Sequence, residues 1–135
     1  MFKRTLFFLL LISITACGGD GGEATINVSG CWEFYTLDSS DPSSTEYGPN
    51  CMELTQSDGT ITGKSFLACD YTERGSLSGT IDGVNITLSQ GTLEFTGEVS
   101  YNTMSGTYIF VSNDYVSDGT WRAERIYYIY GVKCM

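Results

Sequence analysis

Five cysteines, no histidine, and sixteen acidic side chains against seven basic ones define the chemistry open to this 135-residue chain. Without an imidazole there is no Ser-His-Asp or Cys-His nucleophile and no histidine-ligated metal. Carboxylates pair at Glu94 with Glu98 and at Asp70 with Glu73. Alternation puts the first pair on the outer face of a strand and the second in a turn, where both are solvated rather than set apart as acid and base. Asn113, Asp114 and Asp118 carry oxygen ligands suited to calcium, but without EF-hand spacing a plain polar loop is expected there. The glycines punctuate strands instead of opening helices, so no phosphate-cradling loop is present. No CxxC pair exists, which favours disulfides over a structural zinc. A binding or structural protein without a cofactor is therefore expected, and not an enzyme. The acidic excess repels nucleic-acid phosphates and leaves cationic partners open, its plainer consequence being solubility.

The amino-terminal segment, residues 1–16, reads as a removable signal. Lys3 and Arg4 form a basic flank, and Leu6 to Ile14 form an apolar run too short to span a bilayer as a helix. Ile14-Thr15-Ala16-Cys17 resembles the lipobox of bacterial lipoproteins, with Ile14 where leucine is commoner. The resemblance implies that Cys17 is acylated and becomes the first residue, tethering the chain to a lipid bilayer through two or three acyl chains. Gly18 stands where an aspartate would, in the enterobacterial pattern, imply inner-membrane retention, so the resemblance points to the outer membrane of a bacterial envelope. Residues 17–25 then form a Gly-rich linker, and residues 26–135 a single domain with one core. Removing Lys3 and Arg4 from the seven basic residues leaves five against sixteen acidic ones, a side-chain charge of -11.

The elements that must position these residues are strands. Around Asp82-Gly83, Leu77, Gly79 and Ile81 alternate with polar residues on one side, as do Val84, Ile86 and Leu88 on the other. That pattern is a β-hairpin, because an Asp-Gly pair accepts the positive φ of a tight turn. Strands are expected at about residues 26–37, 51–56, 60–68, 75–81, 84–89, 92–101, 104–112 and 120–128, with long polar loops at 38–50 and 113–119. The fold class predicted is all-β, an eight-stranded antiparallel up-and-down barrel. Its inward face is Trp32, Phe34, Met52, Leu54, Ile61, Leu67, Leu77, Ile81, Val84, Ile86, Leu88, Leu93, Phe95, Val99, Met104, Tyr108, Phe110 and Trp121, and its outer face is polar. Gly63, Gly79, Gly97 and Gly106 also fall inward, where glycine either permits strong bending or leaves room beside a large neighbour. These alternatives distinguish a filled barrel from a hollow one. The unalternated run Ile126 to Tyr130 is expected to pack against the barrel's end.

Gly30-Cys31-Trp32 on the first strand and Arg125 near the end of the last resemble the signature of the calycin superfamily, which includes lipocalins, avidins and fatty-acid-binding proteins. The resemblance implies a lipocalin-like barrel with Trp32 closing one end and Arg125 packed across it, and a small apolar ligand in the barrel mouth. Arg122 is the other cation near this end, but alternation places it on the opposite face. A solid interior with no solvent-sized void would sink that ligand reading. Ser105-Gly106-Thr107-Tyr108 is similar to the SGxxY motif of small envelope lipoproteins that inhibit lysozyme, one residue short and without the lysine-bearing loop that follows it there. A cationic envelope enzyme is therefore the alternative partner, and a passive structural lipoprotein the third reading.

With Cys17 acylated, Cys31, Cys51, Cys69 and Cys134 form an even set in an oxidising compartment. Strand direction selects among the three pairings. Cys51 opens the second strand and Cys69 ends the third at one end of the barrel, while Cys31 and Cys134 both lie at the other. The expected bridges are Cys51 with Cys69 and Cys31 with Cys134, because either alternative crosses a barrel roughly 25 Å long at ~3.3 Å per residue, against a Cα separation limit of about 7 Å.

Overall fold

The computed structural model describes residues 26–40, 43, 45–70, 72–129 and 132–133. The signal, Cys17, the linker and Cys134 lie outside the described residues. Eight strands close into an antiparallel barrel in sequential order: β1 (Gly30–Asp38), β2 (Tyr47–Ser57), β3 (Thr60–Phe66), β4 (Glu73–Asp82), β5 (Asn85–Gln90), β6 (Leu93–Ser100), β7 (Thr103–Ser112) and β8 (Tyr115–Ile126). Closure is direct, since β1 pairs with β2 along one side and with β8 along the other. The barrel therefore leaves no open edge. Asp82↔Asn85 flanks the Gly83-containing turn, and Gly83 takes the positive φ of 59° that such a turn requires.

Several expected boundaries move. The first strand begins at Gly30 and not at Ile26. Residues before it lie across the barrel's base, where the Val28 N–H donates to Gln56 Oε1 at 2.9 Å and the Gln56 N–H to Ser29 Oγ at 2.9 Å. The loop expected over 38–50 gives way to strand at Tyr47, so Pro49 lies in β2 after a cis Gly48-Pro49 bond. Proline is tolerated there because it sits beside the register shift between Phe34 and Thr36, where the β1 ladder is already interrupted. The third strand stops at Phe66, and Leu67–Cys69 is a 3-10 turn that leaves Leu67 half-buried. The polar loop expected over 113–119 shrinks to a tight turn at Asn113-Asp114, because β7 and β8 stay paired as far as Ser112↔Tyr115. Polar side chains at its margin are tied down rather than free, with Ser39 Oγ donating to Asp118 Oδ1 at 2.7 Å and Ser117 Oγ to Asp38 Oδ2 at 2.9 Å. The Ser40 hydroxyl and N–H donate to Asp38 Oδ1 at 2.7 and 2.8 Å, and together with Ser117 they hold the Asp38 carboxyl below its ordinary pKa.

The run from Ile126 also departs from expectation. Tyr127 and Tyr128 are 62% and 63% exposed instead of packing on the barrel's end, and Tyr128–Ile129 (β9) pairs with Val132–Lys133 (β10). That pairing satisfies the backbone without help from the barrel. Tyr130 is outside the described residues.

Inside, the alternation holds. Trp32, Met52, Leu54, Ile61, Leu77, Ile81, Ile86, Leu88, Phe95, Val99, Met104 and Trp121 are buried together, joined by Val28 and Ala123, with Phe34, Leu93 and Tyr108 packed on them from one end. Val84 lies at a turn and is half-buried, as is Phe110 at the end of β7. A Cβ built at Gly63, Gly79, Gly97 or Gly106 would overlap a carbonyl oxygen of the neighbouring strand, that of Glu53, Thr87, Ser105 or Thr96 respectively. The glycines thus let strands cross closely and coil tightly; they do not line a void. Phe34, Met52, Leu77, Leu88, Gln90, Phe95 and Trp121 enclose a void of about 10 Å³. That is about the space of one water. Around these residues the core is filled.

Candidate functional site

The two ends of the barrel differ in chemistry. At the base, where the chain enters at Ile26, Trp32 is fully buried and its indole Nε1 donates to the Val28 carbonyl at 2.9 Å. Cross-strand pairing sets Trp32 opposite Arg125. The guanidinium lies 4.3 Å from the indole centroid and donates to the carbonyls of Ser29 at 2.7 Å and Asn27 at 2.8 Å. Partial burial pulls the Arg125 pKa below its usual value, though not enough to discharge an arginine. Gly30 carries a φ of 131°, and a Cβ there would press on Arg125 Nη1 at 3.0 Å, so the glycine beside Trp32 clears the way for the cation. Gly30, Trp32 and Arg125 are therefore one assembly that closes the base. Arg122 serves elsewhere: on the outer wall it lies 4.1 Å from the Tyr35 ring centroid and pairs bidentately with Glu46 at 2.6 and 3.2 Å.

Cys51 and Cys69 form a disulfide at the other end, with Cα atoms 4.6 Å apart. Cys51 is buried in β2 and Cys69 takes a φ of 55° in the 3-10 turn, so the bridge anchors the chain that joins β3 to β4. Cys31 is disulfide-bonded as well; Cys134, its expected partner, lies outside the described residues. Replacing Cys51 and Cys69 together by serine is expected to remove about 3 kcal/mol of stability on the loop-entropy account, for a separation of 18 residues. Urea denaturation of the double variant measures the loss, and a change below about 0.5 kcal/mol would show that the turn holds itself without the bridge.

At the barrel's second end, beside this disulfide, the described residues leave a mouth. A cleft of about 310 Å³ is lined by Phe34 and Thr36 of β1, Asn50, Ser65, Arg74, Gln90, Leu93, Phe95 and Phe110. Its aromatic floor is continuous with the core, since Phe95 meets Phe34 edge-on at 6.0 Å and Trp121 at 5.5 Å. Its polar wall depends on local irregularity. The register slips between Ser65↔Gly75 and Phe66↔Glu73, which makes Arg74 the extra residue of a bulge, and bulges re-aim a side chain. Gly75 beside it admits the Gln90 carboxamide, because a Cβ there would stand 2.6 Å from Gln90 Nε2. Ser65 and Asn50 are buried, with Ser65 Oγ donating to Gln90 Oε1 at 2.8 Å and the Ala68 N–H donating to Asn50 Oδ1 at 3.1 Å.

None of these four polar residues stands out in the sequence. A signal does exist, since Asn50 and Ser65 interrupt the inward apolar register at the mouth ends of β2 and β3, opposite Phe34 and Gly75. The residues singled out for chemistry fare differently. Glu94 and Glu98 are exposed on the outer wall, and Glu73 pairs with Lys64 at 3.6 Å while Asp70 Oδ1 accepts from the Thr72 N–H. Asp118 is taken by Ser39, and the described residues contain no group of three or more acids or cysteines arranged to hold a metal. Ser105–Tyr108 lies within β7, its Gly106 facing Gly97.

No protein-family model, curated protein or solved structure matches this chain. The likeness to calycins consequently rests on the up-and-down barrel and on the Trp32–Arg125 contact, and what the mouth can bind has to be read from its own side chains.

Proposed function

We propose that this chain is a lipid-anchored envelope protein whose barrel presents its mouth to a small ligand with a largely apolar body. The observation that carries the reading is the mouth cleft, of a size typical of small-molecule sites and floored by Phe34, Leu93, Phe95 and Phe110. The core void of about 10 Å³ has room for about one water, so the reading is of a shallow site in the mouth cleft and not of a lipid held along the barrel axis. The anchor is Cys17, acylated and joined to the base by residues 17–25, a reach of about 30 Å at ~3.3 Å per residue. Entry at the base turns the mouth away from the bilayer. In support of that orientation, the exposed Tyr101, Tyr127 and Tyr128 cluster around the base turns and the end of β8, at the level where tyrosine suits a membrane interface.

The anchor is tested by labelling cells with an alkyne analogue of palmitate. The native chain is expected in the outer-membrane fraction and labelled, and Cys17→Ser unlabelled and released; a Cys17→Ser chain that stays labelled would refute the lipobox assignment. The ligand site is tested with 1-anilinonaphthalene-8-sulfonate, whose fluorescence should rise on the native barrel and fall for Phe110→Ser. An absence of dye binding, with the fold intact by circular dichroism, would remove the mouth as a ligand site.

A second reading, docking of a cationic protein, is favoured by a groove of about 510 Å³ on the outer wall, where Glu94 and Asp118 flank Thr96, Thr107 and Thr120. Binding to lysozyme at low ionic strength that weakens with salt would support it.

A further inference from the structure

We infer that the mouth cleft grips its ligand by a carboxylate or other anionic end, through three uncommitted hydrogen-bond donors: the Arg74 guanidinium, Gln90 Nε2 and Asn50 Nδ2. The inference rests on the reading of the mouth as a small-ligand site and specifies the chemistry of its ligand.

Each carboxamide has its oxygen engaged within the fold. Gln90 Oε1 accepts from Ser65 Oγ at 2.8 Å and Asn50 Oδ1 from the Ala68 N–H at 3.1 Å, which leaves each residue its N–H₂ group to offer. Arg74 makes no ion pair or hydrogen bond among the described residues, and its neighbour Glu73 is taken by Lys64 at 3.6 Å. All three side chains line the same cleft. No carboxylate lines it, on a chain with sixteen acidic residues against seven basic ones. A wall with several donors, one fixed cation and no anion is complementary to a group that only accepts. A carboxylate fits, since a guanidinium can donate to it twice in one plane. Phe95 lies one layer deeper than Gln90, while Phe34 pairs directly with Asn50 and Phe110 with Leu93, the partner of Gln90, so the ligand is an amphipathic anion whose apolar body faces the aromatic side of the cleft while its charged end meets the donors at the rim. Desolvation is limited there, because the anion keeps part of its water.

The experiment compares 2-naphthoate with its neutral analogue 2-naphthalenemethanol on the native barrel by calorimetric titration, at low and at physiological salt. The carboxylate is expected to bind roughly tenfold tighter than the alcohol, with the gap narrowing as salt rises. Arg74→Met should remove most of the gap while leaving the alcohol's affinity unchanged, and Gln90→Met should narrow it by a smaller part. Equal affinities on the native barrel would overturn the anion inference and leave the apolar mouth site standing. A gap undiminished by Arg74→Met would overturn the inference also, by placing the anion elsewhere. Failure of both probes to bind would remove the site and the inference together.

Discussion

Trp32→Ala is expected to destabilise the barrel by about 4 kcal/mol, a large share of the roughly 5–15 kcal/mol that holds a domain of this size folded. The indole is fully buried at the base, and three contributions leave with it. The first is transfer of a large apolar side chain and the cavity left behind, which the tight glycine-bent wall cannot collapse to fill. The second is the Val28 carbonyl, which loses its donor at 2.9 Å. The third is the ring beneath the Arg125 guanidinium, 4.3 Å away, whose loss leaves a partly desolvated cation held by the Ser29 and Asn27 carbonyls alone. Arg125→Lys separates the third contribution from the others, because lysine keeps the charge but not the planar fork that reaches both carbonyls, and about 1–2 kcal/mol is expected. Urea titration followed by far-ultraviolet circular dichroism measures both variants. A loss under about 1 kcal/mol for Trp32→Ala would mean that Val28 and the entering chain close the base without the indole.

Gly106→Val should prevent the barrel from closing. Gly106 faces Gly97 across β6 and β7, and a Cβ at position 106 would overlap the Thr96 carbonyl oxygen and come within 2.5 Å of the Gly97 Cα. These are backbone atoms in the ladder, so no rotamer change relieves the overlap, and the strands must separate. The Trp121 indole donates to the same Thr96 carbonyl at 3.0 Å, so displacing that strand also breaks a hydrogen bond near the mouth floor. The expected loss exceeds about 3 kcal/mol, above the usual range for overpacking with side chains that can move. Ser105→Val is the control, since Ser105 is exposed on the outer face of the same strand, where a β-branched residue suits the ladder. The comparison is made by recovery of folded protein and by thermal melting. A Gly106→Val barrel that melts within a few degrees of the native one would show that the glycine crease is dispensable.

Much of this fold is legible in the order of its amino acids, because the signals that specify it are local. Period-2 alternation assigns each side chain of a strand to one face, and turn chemistry such as Asp82-Gly83 marks where a strand reverses. Eight strands in sequential order follow, and strand direction then brings Cys51 and Cys69 to the same end, where they are bonded. The boundaries misplaced from sequence, at Tyr47 and Tyr115, lie where polar or proline residues suggest a loop but pairing with a neighbouring strand supplies hydrogen bonds a sequence window does not contain. How much space the barrel encloses is not legible there and follows from the packing of its walls. Inward glycines and large inward side chains are compatible with a filled or a hollow barrel, because interior volume depends on how closely opposite walls approach, and that distance follows from the glycine crossings between β6 and β7 and their neighbours. The mouth was hidden for the same reason. Asn50, Ser65, Arg74 and Gln90 come from four different strands, and what unites them is a bulge at Arg74 and the closure of the sheet, neither of which leaves a periodic trace in the chain.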